Sequence, residues 1–190
     1  MGIFDFLFGR DKSNSEELTE SMPQNDSEKW TVAVYALWSE YCGGSYKYFG
    51  GYEKTSANER MLKKVLKDDW LISNKQGVIK MVDYLLDEKN NSGDQAEEAA
   101  FSYGCAGNIA ARGYLCGYLT REEMLQQAAR IATVIREHYH SWDEYVQQYI
   151  IGLGTGSNVS EKQEEFRKNY ERLRAMPKGP YSVDWNTVIL

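Results

Sequence analysis

The sequence predicts an all-α fold: a compact bundle of about seven helices around a Gly/Ala-rich central helix, finished by an extended C-terminal strap. Three observations carry this. Apolar residues recur at three- and four-residue spacing, helix-start signals punctuate the chain, and the segment Ala96 to Tyr118 is rich in small residues at a helical period.

The apolar stripes come in chain order. Trp30, Val34, Leu37/Trp38 and Tyr41 form the first. Met61/Leu62 with Val65/Leu66, and Val78, Val82 and Leu85/Leu86, form the next two. Met124, Ala128, Ile131 and Ile135 begin a long one that ends at His138/Tyr139. Trp142, Tyr145/Val146, Tyr149 and Leu153 follow, and Phe166, Tyr170 and Leu173 close the series. Capping boxes, in which a Ser or Thr and a Glu or Gln three residues on satisfy each other's backbone N–H, are expected at Ser56/Glu59, Ser73/Gln76, Thr120/Glu123, Ser141/Glu144 and Ser160/Gln163. Asp94 with Glu97 is a weaker version.

In the central segment Gly104, Gly107, Gly113 and Gly117 stand among Ala and Cys. Each interior Gly costs about 1 kcal/mol relative to Ala. Close approach of another backbone is the expected compensation, which makes this the helix the others surround. Room for a ligand is the rival reading. Pro180 and the β-branched residues of 177–190 suit an extended strap. Residues 1–27 read as a flexible lead, and 28–190 as a single helical domain.

Composition narrows the function classes. The 22 Lys+Arg against 28 Asp+Glu give −6, which argues against a phosphate-backbone partner. Cys42, Cys105 and Cys116 show neither zinc spacing nor a disulfide framework, so reduced thiols and a cytoplasmic home are expected. No apolar run approaches the ~18 residues of a membrane span. The short apolar start, Ile3 to Phe8, supports at most weak peripheral attachment to a membrane.

Arg112-Gly-Tyr-Leu-Cys-Gly-Tyr-Leu-Thr-Arg-Glu-Glu123 resembles the G-Y-x-x-G-Y-[IL]-x-x-E-E hallmark of the bacterial YbeU-type family, a domain of unknown function. Ser141-Trp142-Asp143-Glu144-Tyr145 and Tyr149-Ile150-Ile151-Gly152 resemble its S-W-x-x-[FY] and Y-x-x-G steps, and Asp69-Trp70-Leu71-Ile72 its W-x-I step. The similarity spans about residues 30–153. Ser102 and Cys105 depart from it, standing where the family often has Asp and Arg. The resemblance implies an all-helical fold and a bacterial source, and no activity.

No catalytic or metal-ligating pattern rises above background, and no cofactor is called for. His138 and His140 lie two apart, so on a helix they cannot share a metal, and capping or packing is their expected role. The Glu and Asp pairs, such as Glu122-Glu123, sit near helix ends where they complement the dipole. Gly152 to Ser157 reads as a helix end rather than a phosphate loop. A Cys105–His138 pair formed in space is one catalytic arrangement left open.

The most suggestive stretch is Tyr41 to Tyr52, in which Tyr, Gly and Ser make the composition of adaptable binding surfaces. Tyr46, Tyr48, Phe49 and Tyr52 are its candidate binding residues, against the plainer reading that the rings cover the core. The favoured function is a non-catalytic interaction or ligand-binding module, with another protein as one admissible partner. The alternatives are an enzyme whose site assembles only in three dimensions and a membrane-peripheral protein held by residues 3–8.

Overall fold

The computed structural model describes residues 20–91, 98–154 and 159–189. Residues 3–8 and the Asp94/Glu97 start signal lie outside them. Among the described residues there are eight α-helices and no strand. They are α1 (Asp26–Ala33), α2 (Ala36–Tyr41), α3 (Ser56–Trp70), α4 (Lys75–Leu86), α5 (Ala99–Leu115), α6 (Arg121–His138), α7 (Trp142–Ile151) and α8 (Val159–Arg174). Short 3₁₀ turns lie at Phe49–Gly51, Glu88–Asn90 and Pro180–Ser182.

The first apolar stripe is two helices, because the chain breaks at Tyr35 (φ −123°, ψ 14°). The break places the Tyr35 ring against Gly107, where an added Cβ would stand 3.1 Å from the ring. The Tyr145 hydroxyl meets the carbonyls of Val34 (3.0 Å) and Ala100 (3.3 Å), so the interrupted backbone keeps a partner.

Helix starts follow the sequence signals closely. Thr120 and Glu123 form a full capping box, each side chain accepting the other's backbone N–H (3.2 and 3.0 Å). Ser141 accepts from the Glu144 N–H at 3.1 Å, while Glu144 reaches one residue further back, to the His140 N–H. Two starts fall one residue from the expected cap: Thr55 accepts from Asn58 N–H and Asn74 from Gly77 N–H. Asn caps at least as well as Ser, and β-branched Thr prefers the extended backbone a cap needs. Ser160 lies inside α8.

Helix α5 is the central element. Of its 17 residues only Phe101 and Ser102 escape full burial. It packs against α1, α3, α4, α6 and α7 and against the Phe49–Gly51 turn. Its glycines let neighbours in: a Cβ on Gly104 would stand 2.2 Å from the Tyr149 ring, and one on Gly113 3.0 Å from Val78. Gly117 does a different job. At φ +72° it ends the helix in a Schellman turn, with Tyr118 N–H on the Gly113 carbonyl (2.9 Å) and its own N–H on Tyr114 (3.0 Å).

The strap after Pro177 is fastened by indole donors. Trp30 donates to the Trp185 carbonyl and Trp142 to that of Val183, both at 2.9 Å. The Trp142 and Trp185 rings meet edge to face at 4.8 Å. Arg136 stacks on Trp30 and donates to the Trp185 and Thr187 carbonyls. At the other end residues 20–22 already lie on the bundle: Arg121 holds the Glu20 and Met22 carbonyls, and Phe49 N–H donates to Ser21. Residues 20–22 thus make contacts with the helical body.

Trp142, Tyr114 and Leu115 are buried as their periodicity requires. Trp70 is only half-buried, because its ring forms part of a cleft wall.

Two stability predictions follow from these positions. Gly104→Ala should lose about 1–3 kcal/mol by overpacking against Tyr149, even though Ala is intrinsically better in a helix by about 1 kcal/mol. Urea titration measures the sum, and a stabilised variant would mean that α5 is not closely wrapped. Leu71 ends α3 at φ 57° with its side chain 87% exposed. Leu71→Gly should therefore gain about 1 kcal/mol by relieving the left-handed backbone, read as a higher melting temperature.

Candidate functional site

Four residues of α5, Cys105, Asn108, Ile109 and Arg112, line a cleft of about 290 Å³. Helices α2 and α3 and the segment between them supply the opposing walls: Trp38, Cys42, Tyr52, Met61, Leu62, Val65, Asp69 and Trp70. The walls are mostly apolar and aromatic, with Asp69 among them, and the floor sets Asn108 and Arg112 beside Ile109 and Cys105.

Arg112 is 6% exposed and Asn108 3%. Among the described residues, Arg112 Nε and Asn108 Nδ2 have no hydrogen-bond partner, and no carboxylate forms an ion pair with Arg112. A buried polar group without a partner is costly, and a charged one more so. Glu28, the other buried charge among the described residues, is paired, and the partly buried Arg136 has partners although its Nε also lacks one. Glu28, 5% exposed, receives a two-pronged pair from Arg121 (2.7 and 3.2 Å). Arg136 has its two carbonyls and the face of Trp30.

The Phe49–Gly51 turn holds Arg112 in place. Gly50 takes φ +61°, and a Cβ there would stand 3.1 Å from Arg112 Cγ. The turn thus closes directly over the arginine stem, and its Gly50 N–H donates to the Tyr35 hydroxyl at 3.3 Å. A larger residue at position 50 would push the turn off the arginine. A second cation, Lys162, lies over the rings of Trp38 (4.9 Å) and Tyr41 (5.2 Å).

Burial pushes the Cys105 thiol up to about 12. It also raises Cys42, although the Arg112 guanidinium, by its charge and by a hydrogen bond to the sulfur, pulls the other way. Both sulfurs are therefore protonated thiols at neutral pH, which weakens them as nucleophiles and as metal ligands. Among the described residues no cluster of His, Cys, Asp and Glu is arranged to hold a metal ion. His138 ends α6 and stacks on Tyr103 at 6.0 Å, and His140 is exposed.

The four aromatic candidates separate. Tyr52 lines the Arg112 cleft and donates to the Cys42 carbonyl at 3.0 Å. Tyr48 donates to Glu53 at 2.7 Å, and Tyr46 sits half-buried with its hydroxyl toward Met176. Phe49 is fully buried, edge-on to Tyr114 and beneath the Arg121 guanidinium, so it serves the core and not a surface. The glycine pairs of this stretch close it on itself. A Cβ on Gly44 would stand 2.6 Å from the Gly51 carbonyl, which accepts the Ser45 N–H.

Arg112 and Asn108 are the residues that composition did not single out. Their signal was present: a charged and an amide side chain four residues apart in the segment expected to be buried on all sides.

A larger groove between α7 and α8, about 870 Å³, is lined by charges that answer one another, such as Arg174 with Asp143 at 2.7 Å. It offers no unsatisfied buried donor comparable to Arg112.

No curated protein and no solved structure matches the chain. A family model described as a protein of unknown function, DUF1266, matches residues 91–185. That span, half of the 190 residues, runs from α5 through the strap and contains both unpartnered donors. The matched half holds the central helix, Trp142 and the strap as far as Trp185, and the chain belongs to the DUF1266 family.

Proposed function

We propose that this DUF1266 protein is a non-catalytic ligand-binding module, and that the cleft over Arg112 takes a small anion. One observation carries the reading: a buried arginine that no carboxylate pairs with, lining a walled cleft beside Asn108, with Arg112 Nε and Asn108 Nδ2 both without a hydrogen-bond partner. An anion would supply the missing acceptors, and the apolar walls would strengthen the contact by excluding water. Tyr52 belongs to this site, and Tyr46 and Tyr48 lie on the same segment outside it. The protonated thiols favour binding over turnover. A bacterial source and membership of a YbeU-type branch rest on the motif resemblance, and a cytoplasmic home fits three free cysteines. Among the described residues no helix is long and apolar enough to cross a membrane.

The test contrasts two arginines. Arg112→Met removes a buried charge that nothing in the fold answers, so the unliganded variant should match or exceed the wild type by about 1–3 kcal/mol. Arg121→Met strands Glu28 and should cost about 3 kcal/mol or more. Millimolar acetate, benzoate, sulfate and phosphate are then screened by thermal shift. At least one should raise the wild-type melting temperature and leave Arg112→Met unmoved. If no anion moves the wild type, or if Arg112→Met unfolds the protein, the cleft is not an anion site.

A further inference from the structure

Resting on that reading, we infer that the anion is a monocarboxylate with a compact apolar body, its carboxylate held by Arg112 and Asn108 and its body lying between the aromatic walls. Three features select this class over inorganic phosphate and over polyanions.

The first is the donor set. A guanidinium fork and one amide N–H match the two oxygens of a carboxylate. A phosphate brings three or four oxygens and is ordinarily met by several backbone N–H groups or by additional cations. Here the floor is built from the middle of a helix, where the backbone N–H groups are committed to the helix itself. Lys162, the other nearby cation, stacks on the Trp38 ring and is not among the cleft-lining residues.

The second is the wall. Between the donors and solvent stand Trp38, Tyr52, Val65 and Trp70. A small hydrated ion would leave these surfaces uncovered. An organic acid covers them, and its apolar burial supplies affinity that the charge contact alone does not.

The third is the rim. Asp69 lines the cleft and is exposed. Its carboxylate repels a second negative charge entering behind the first, which disfavours dicarboxylates and phosphate esters. The size agrees: about 290 Å³ lies at the lower edge of the range for small-molecule pockets, about 300–1,000 Å³.

Calorimetric titration of the full chain with benzoate, benzamide and inorganic phosphate tests this. Benzoate should bind at one site per chain. Benzamide, the same shape without the charge, should bind at least about tenfold more weakly. Phosphate should show no heat at the concentrations that saturate benzoate. Trp70→Ala, at a half-buried position and with its fold checked by circular dichroism, should weaken benzoate by about tenfold. Benzoate should also slow alkylation of Cys42 at the cleft mouth in the wild type and not in Arg112→Met. Should phosphate bind more tightly than benzoate and Arg112→Met abolish it, the cleft remains an anion site and the carboxylate inference fails. Equal binding of benzamide and benzoate likewise overturns it. If neither anion binds the wild type, the carboxylate inference and the anion reading fall together.

Discussion

Helix α5 has to be thin. Five helices and a turn pack around it, and a ring from α7 comes so close to Gly104 that even a methyl group would collide. Interior packing at crystal-like density tolerates little slack at such points. The glycines that weaken α5 as an isolated helix are therefore what allows the bundle to close around it. The two sides of this trade differ in range: propensity is lost locally, and packing is gained over the whole core.

A helix wrapped in this way has no solvent face on which to put a charge. Each polar side chain it carries must find a partner within the protein or face a cavity. Many buried polar groups of the fold have such partners, although Ser39 Oγ, Arg136 Nε and the Tyr149 hydroxyl are, like Arg112 Nε and Asn108 Nδ2, buried without a partner among the described residues. Indole N–H groups hold the strap, Arg121 holds Glu28, and the Tyr145 hydroxyl takes up the carbonyls at the α1–α2 break. Arg112 and Asn108 are placed against this pattern, four residues apart on the face of α5 that looks into the cleft. An arginine buried without a carboxylate partner costs stability, and under the proposed function a bound anion would offset that cost.

The site also joins two parts of the chain. Its donors come from the segment matched by the family, and its walls come from residues 38–70, ahead of that segment. The Phe49–Gly51 turn links them by closing over the Arg112 stem. Changes in the leading segment would thus reshape the cleft walls while Asn108 and Arg112 stay the same.

The sequence by itself determined the helical class, the position of most helix starts and the identity of the central helix. These depend on local rules: apolar period, cap chemistry, and the need for small residues where a helix is surrounded. The Thr120/Glu123 box and the Gly113 and Gly117 positions were legible for that reason. The tertiary structure alone decided that the first stripe breaks at Tyr35, that Phe49 belongs to the core while Tyr52 borders a cleft, and that Arg112 is left without a counter-charge. Of the candidate site, Tyr52 was in view from composition and Arg112 and Asn108 were not. Their burial could be expected from the chain, but whether a carboxylate comes within reach depends on residues distant in sequence. Charge pairing over such separations has no periodic signature, and only the packed fold brings the partners together or leaves one out.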